Sequence, residues 1–407
     1  MNNSNVIKPD VKFCSRCTCS SASAVQMTFN NDEVCTGCLV NDEKTYEIDW
    51  NDRFKKLKDL LNEYKSKNNN YDCIIPVSGG KDSYFQTHII KNELGFNPLL
   101  VTYNGNNYSK TGLENVQNMR ERFGCDHIFF TPSVKTLITL NRLGMLIMGD
   151  MNWHNHCGIF TYPIKEAVEK KIPLMIWGEH GYADIGGMYS YDDFIEFTYR
   201  NRHEHGIRGF EWYDILEASK NYKEELKKED LLPWMYPSDK DIESVGVRGI
   251  YLSNYVAWNA NEHTNLMVKK YGFKLSETKF ERTYRVASNL DDIYENGIHD
   301  YMKWIKFGYG RSTDHTTKDI RATVMSREEG IKEVVKRDHI KSKDLLIWLK
   351  YVGWSEEYFD RVADTFRSPN VWWIKNNEWV KKDITGAEIS YGKVHLPKSE
   401  RYKFYIE

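Results

Sequence analysis

The segment Tyr71-Asp72-Cys73-Ile74-Ile75-Pro76-Val77-Ser78-Gly79-Gly80-Lys81-Asp82-Ser83 joins a short apolar run to a glycine pair and then to a helical pattern. The apolar run predicts a buried strand over 71–77, and the pattern behind it predicts a helix over about 82–94. Two glycines let successive backbone N–H groups turn toward an anion, and a helix that starts behind them adds its positive end. Strand, turn and helix together read as a phosphate loop. A Walker A loop would need a glycine at Ile75 and a hydroxyl at Asp82, and the G-x-G-x-x-G of dinucleotide folds is absent.

Outward from this loop the alternation continues. Strands are expected over 98–103, 127–131 and 173–177, with helices over 113–123, 134–148 and 164–171. Alternating strands and helices indicate βαβ units and a parallel sheet covered on both faces. Right-handed crossovers bring the loops after the strands to one edge, where open α/β sheets bind ligands. A charged amphipathic helix over 46–67 leads in, and Asn68-Asn69-Asn70 breaks it. From about Glu211 the strand signals fade, and helices are expected over 251–271, 293–307, 327–336, 343–351 and 356–366. The aromatic tail from Trp372 to Tyr405 holds a candidate β-hairpin closed by Asn376-Asn377.

The 407 residues allow two or three domains of roughly 100–200 residues each. Lys and Arg number 56 against 58 Asp and Glu, a formal charge of −2, which argues against a protein built mainly to hold nucleic acid. The apolar fraction of 41% is that of a globular chain, and no apolar run reaches the roughly 18–20 residues of a membrane span. The first ten residues are polar and do not resemble a signal peptide, so a cytoplasmic location is expected.

Five of the eight cysteines lie near the start: Cys14, Cys17, Cys19, Cys35 and Cys38. The C-x-x-C pairs Cys14/Cys17 and Cys35/Cys38 stand seventeen residues apart, the spacing of two facing zinc knuckles. Each turn aims two thiolates at one centre, and a closed four-sulfur shell is structural, with no open position for chemistry. Disulfides do not suit a reducing compartment. Gly37 would ease the second turn, and Cys19 is a spare thiol or a substitute ligand.

Three further clusters carry chemistry. Trp153-His154-Asn155-His156-Cys157-Gly158-Ile159 precedes the expected 164–171 helix and offers two histidines for a metal or a substrate hydroxyl or phosphate. Pro173-Leu174-Met175-Ile176-Trp177-Gly178-Glu179 is a buried strand that ends on a carboxylate facing the phosphate-loop crevice, with Asp184 a second candidate. Lys306-Phe307-Gly308-Tyr309-Gly310-Arg311-Ser312-Thr313-Asp314-His315 leads on to Arg321. No strand precedes Gly308, so this is not a dinucleotide loop; Lys306, Arg311 and Arg321 read as charge-assisted clamps for an anion.

In this order the blocks resemble the N-acetyl sugar amidotransferases, a family of the PP-loop ATP pyrophosphatases in bacterial surface-glycan pathways. The resemblance rests on the four-cysteine ribbon, S-G-G-K-D-S, W-H-x-H-x-G-I, I-P-L-x-I-W-G-E, Y-L-S-x-Y-x-x-W over Tyr251 to Trp258, and K-F-G-Y-G-R-x-T-D-H. It runs from Cys14 to about Gly330, and the extra Cys19 departs from it. It implies an α/β fold: a PP-loop (adenine nucleotide alpha-hydrolase-like) doubly wound parallel sheet. An N-terminal zinc ribbon over 1–45, an ATP-binding domain over 46–210 and a mostly helical C-terminal region over 211–407 are expected.

The resemblance further implies that Ser78, Gly79, Gly80, Lys81, Asp82, Ser83 and Tyr103 bind ATP, with Asp82 on Mg²⁺ and structural Zn²⁺ on Cys14, Cys17, Cys35 and Cys38. Lys81, Asp82, Glu179, Lys306 and Arg311 would be catalytic, and His154, His156, Asp184, Asp314, His315 and Arg321 would hold substrate. The activity implied is conversion of a sugar acetamido group to acetamidino by adenylation of the amide oxygen and attack by ammonia. It belongs to pseudaminic acid, legionaminic acid or lipopolysaccharide O-antigen synthesis. Ammonia would come from a separate glutaminase subunit of the imidazole-glycerol-phosphate-synthase type. Neither nucleic acid nor membrane is expected as a partner. The alternatives are a PP-loop tRNA-modifying enzyme of the thiolation type and a non-catalytic zinc and nucleotide scaffold.

Overall fold

The structure is a computed structural model that describes residues 6–105 and 107–407. Six strands form one sheet: β1 (Cys73–Pro76), β2 (Pro98–Tyr103), β3 (His127–Phe130), β4 (Leu174–Trp177), β5 (Glu196–Phe197) and β6 (Arg248–Tyr251). Their order is β3-β2-β1-β4-β6-β5, parallel throughout except for β5, which runs antiparallel along β6 at the edge. Successive side chains of a strand point to opposite faces. Cys73, Ile75 and Val77 therefore enter one core with Tyr84, Phe85 and Met267, while Ile74 enters the other with Val101, Ile164 and Trp177.

After β1 the chain builds outward to β2 and β3, then crosses back to start β4 on the far side of β1. That reversal opens a crevice between the carboxyl ends of β1 and β4, where an α/β sheet takes its ligand. Loop Val77–Gly80 leaves β1 there and Gly178-Glu179 leaves β4 opposite it.

Three expectations change. The boundary at residue 210 cuts the sheet, because β6 lies beyond it and the helix Ala260–Tyr271 packs on Lys81–Thr87. Tyr251, expected to open a helix, closes β6; a four-residue strand containing Gly249 leaves almost no period-2 signal. The Trp153–Ile159 block is not a loop before a helix but the first two turns of the helix Trp153–Lys170. Pro163, a residue favoured at helix starts, sits inside that helix and hides where it begins.

The C-terminal region follows the helical reading: Asn296–Phe307, Arg311–Arg321, Arg327–Arg337, Asp344–Val352 and Glu356–Thr365. Trp304, Trp348, Trp372 and Trp379 fill its core. A three-stranded antiparallel sheet, β7 (Trp373–Lys375), β8 (Glu378–Lys382) and β9 (Glu388–Lys393), closes it. Asn376 and Asn377 both have positive φ, 52° and 64°, the pair of left-handed residues that a two-residue hairpin turn needs. Among the described residues no helix is long and apolar enough to cross a membrane.

Candidate active site

The phosphate loop is ordered by its own side chains. Ser78 N–H donates to Ser83 Oγ at 2.9 Å, Gly80 N–H to Ser78 Oγ at 3.4 Å, and Tyr108 OH to the Ser78 carbonyl at 2.8 Å. Gly79 has φ +75°, and a Cβ there would stand 2.4 Å from Val116 Cγ2, so the position needs glycine. Gly80 caps the helix Lys81–Thr87, whose N-terminus faces a cavity of about 260 Å³ lined by the loop, Asn296 and Arg311.

Lys81 Nζ donates to Asp82 Oδ2 at 2.6 Å. Burial opposes ionisation of Asp82, but the ammonium of Lys81 outweighs it and holds the carboxyl below its usual value. Asp82 Oδ1 is buried and has no hydrogen-bond partner among the described residues. An orphaned carboxylate oxygen beside an anion cradle fits a hard cation such as Mg²⁺. Arg311 comes from the C-terminal region and is aimed by Asp300, whose Oδ1 accepts from Arg311 Nε at 2.8 Å while Arg282 Nε holds Oδ2 at 2.6 Å.

Across the crevice, Lys318 Nζ lies 2.7 Å from Glu179 Oε2 and 3.0 Å from Asp184 Oδ2, and Lys44 Nζ lies 3.1 Å from Asp184 Oδ1. Burial, with the charge of Asp184 beside it, pushes Glu179 up to about 7 against the pull of Lys318. Asp184 is held well below its usual value, since Lys318 and Lys44 outweigh its burial. These groups face a second cavity of about 440 Å³, with Trp258 and Arg321 in its wall. Lys318 and Lys44 were not expected. Lys318 was legible, because Arg311, His315 and Lys318 recur at the spacing of one helix face. Lys44, six residues past Cys38, carries no such signal.

Several expected site residues serve elsewhere. His154 is fully buried, its Nε2 2.9 Å from Glu295 Oε2 and its Nδ1 3.4 Å from Tyr103 OH. Tyr103, expected at ATP, is covered by Gly105, Gly158 and Trp234. With both nitrogens of His154 engaged and the phenol enclosed, neither has a face left for a ligand. Asp314 is buried on Lys303 Nζ at 2.5 Å, and His315 Nδ1 bonds Thr283 Oγ1 at 2.5 Å, so both brace the helix that carries Arg311 and Lys318. Lys306 and His156 lie in a separate cluster around Asp150, not at the phosphate loop.

Arg321 leaves the substrate set as well. Its Nη1 donates to the carbonyls of Asp184 at 2.7 Å and Ile185 at 3.0 Å, and its Nη2 lies 3.4 Å from Cys35 Sγ. Gly37 is not a turn glycine: it sits in the helix Thr36–Tyr46, where a Cβ would stand 2.3 Å from Arg321 Nη2.

The four sulfurs of Cys14, Cys17, Cys35 and Cys38 lie within 4.8 Å of one another and are all buried. Cys14 and Cys38 stand 3.9 Å apart, Cys17 and Cys35 3.6 Å. Zn–S bonds of ~2.3 Å place tetrahedral sulfurs ~3.8 Å apart, so the set fits Zn²⁺. A four-iron cluster would hold its cysteines much further apart, around the outside of a cube. Cys19 stays outside the set, its sulfur 3.3 Å from Thr317 Oγ1.

Residues 263–384 match the family described as "LPS biosynthesis protein WbpG-like, C-terminal domain". The uncharacterized protein MJ1599 of Methanocaldococcus jannaschii is 26% identical over 113 residues, 28% of this chain and 40% of that relative's length. The NH3-dependent NAD synthetase of Campylobacter jejuni overlaps 57% of this chain and 99% of its own at 15% identity, with a TM-score of 0.28. The U34-tRNA thiolase NcsA of Methanococcus maripaludis, solved with its [4Fe-4S] cluster, overlaps 64% and 84% at 13% identity, with a TM-score of 0.25. Neither overlap is close enough to carry an argument. The stretch that supplies Arg311 and Lys318 to the site is similar to the WbpG-like C-terminal domain of LPS biosynthesis proteins.

Proposed function

We propose that this protein converts an acetamido group of a sugar to an acetamidino group, using ATP and ammonia, in LPS O-antigen or pseudaminic or legionaminic acid synthesis. The observation that carries the reading is the crevice itself. An anion cradle with Lys81, Asp82 and Arg311 adjoins the second cavity, where Glu179, within electrostatic reach of Asp82, is poised near neutrality. The amide oxygen attacks the α-phosphorus of ATP, the bond to the β-phosphate breaks, and pyrophosphate leaves against the loop N–H groups and Arg311. Ammonia then adds to the imidate carbon, Glu179 takes a proton from it, and the carbon–oxygen bond breaks to release AMP. Cations and oriented N–H groups beside the leaving group stabilise its developing charge. Mg²⁺, held by Asp82, would neutralise part of the phosphate charge.

Ammonia is supplied by a separate glutaminase subunit of the imidazole-glycerol-phosphate-synthase type. Supporting this, Cys73 and Cys157 are enclosed, and burial pushes the Cys157 thiol up to about 11, so neither is an activated nucleophile. Cys14, Cys17, Cys35 and Cys38 are committed to their sulfur cluster. The test incubates the protein with ATP, Mg²⁺ and ammonium and a panel of 2-acetamido sugars. Mass spectrometry that finds oxygen replaced by NH, with AMP and pyrophosphate formed, supports the reading. No product from any sugar, or glutamine-dependent product from the isolated chain, refutes the reaction or the ammonia source respectively.

A further inference from the structure

Away from the crevice, four side chains converge on one buried carboxylate. Asp150 Oδ1 lies 3.0 Å from His299 Nδ1, and its Oδ2 lies 3.6 Å from Arg208 Nη1 and 3.9 Å from His156 Nδ1. The His156 and His299 rings meet edge to face at 5.3 Å. Lys306 is in electrostatic reach of Asp150, Arg208 and Lys303, yet among the described residues its ammonium has neither an ion pair nor a hydrogen bond. Lys303 is already paired with Asp314.

Lys306 and Arg208 therefore share one carboxylate. Burial pushes Lys306 down to about 8 and His156 down to about 3, so the imidazole is a neutral hydrogen-bond donor or acceptor and the lysine lacks the counter-charge it needs. Arg208 is 40% exposed and His156 30% exposed, so the cluster opens outward. Such a deficit is relieved by an anion.

The cluster is also tied to the crevice. Asn296, His299, Lys303 and Lys306 follow one face of the helix Asn296–Phe307, and Asn296 lines the phosphate-loop cavity. At ~1.5 Å per residue, Lys306 stands ~15 Å along the axis from Asn296. That separation suits a ligand that reacts at one end and carries its charge at the other.

We infer that Lys306, Arg208, His156 and His299 form an anion-recognition subsite for the acceptor, which is an acetamido sugar bearing a carboxylate or phosphate group. Resting on the amidotransferase reading, this assigns Lys306 and His156 to recognising the acceptor's charge and not to the chemical step.

Binding without ATP tests it independently of the reaction. The full chain is titrated calorimetrically with N-acetylglucosamine, N-acetylneuraminate and UDP-N-acetylglucosamine. At least one anionic sugar is expected to bind at least 10-fold more tightly than the neutral one; preference for the carboxylate or the diphosphate identifies the source of the charge. Lys306→Gln and Arg208→Gln should each weaken that binding roughly 10-fold, the scale of one lost charge-assisted bond, with ATP affinity unchanged. Arg208 lies in a surface loop, so its variant keeps the test intact if the buried lysine proves needed for folding. Equal binding of neutral and anionic sugars, no binding of any, or unaltered binding by Arg208→Gln overturns the subsite. Charge-selective binding without amidine formation would leave the subsite standing and remove the amidotransferase reading.

Discussion

At the scale of single residues, the site is a set of charges whose values are fixed by their neighbours. Asp82 keeps one oxygen on Lys81, and the other has no partner among the described residues. Asp82→Asn should lower ATP-dependent pyrophosphate release at least ~100-fold, the scale of removing one preorganised charge, while a thermal scan stays near wild type. Glu179 lies above its ordinary value, at about 7, because burial and Asp184 outweigh Lys318. A raised carboxyl is stabilising while protonated, and that stability is lost as pH rises through about 7. The proton-acceptor role proposed for it has the opposite sign, since only the ionised form can take a proton. The acid limb of kcat/KM is therefore expected near pH 7, and Lys318→Met should move it to higher pH, because the cation that favours ionisation is gone. A limb that stays in place in Lys318→Met would remove Glu179 as the titrating base. The sequence made Glu179 legible by ending a buried strand on it, whereas its protonation depends on Asp184 and Lys318, which no local pattern joins to it.

At the scale of elements, the phosphate loop was readable almost residue by residue, because its geometry is demanded by local backbone physics. Gly79 sits at φ +75° against Val116. Gly79→Ala combines a left-handed alanine, about 1–2 kcal/mol, with a steric conflict, so chemical denaturation should show at least that loss together with weakened ATP binding. The hairpin at Asn376-Asn377 was legible for the same reason. The strand Arg248–Tyr251 was not: it is held in place by β4 and β5, so its pairing and not its sequence makes it a strand. The histidine pair shows the reverse error. The residue types suggested ligands, but helix Trp153–Lys170 turns His154 inward to Glu295 and His156 toward Asp150.

At the scale of the whole molecule, three regions meet at one crevice. The ribbon contributes Lys44 and holds Arg321, which in turn holds the carbonyls of Asp184 and Ile185. Metal removal should therefore unfold the ribbon and loosen the Asp184 loop together. Elemental analysis is expected to find about one zinc per chain and no iron, and chelation should lower both Tm and activity. A fragment over 46–210 lacks β6, which leaves β4 an open edge and β5 without a partner. Circular dichroism and gel filtration should find it unfolded or aggregated. The sequence by itself determined the phosphate loop, the four-sulfur centre and the parallel α/β plan, since each follows from backbone freedom, ligand spacing or hydrophobic period. Only the tertiary structure decided which charges meet. The Lys318–Glu179 contact joins residues 139 apart. Local pattern carries no information about that distance, because packing of the helix Arg311–Arg321 against the β1/β4 crevice sets it.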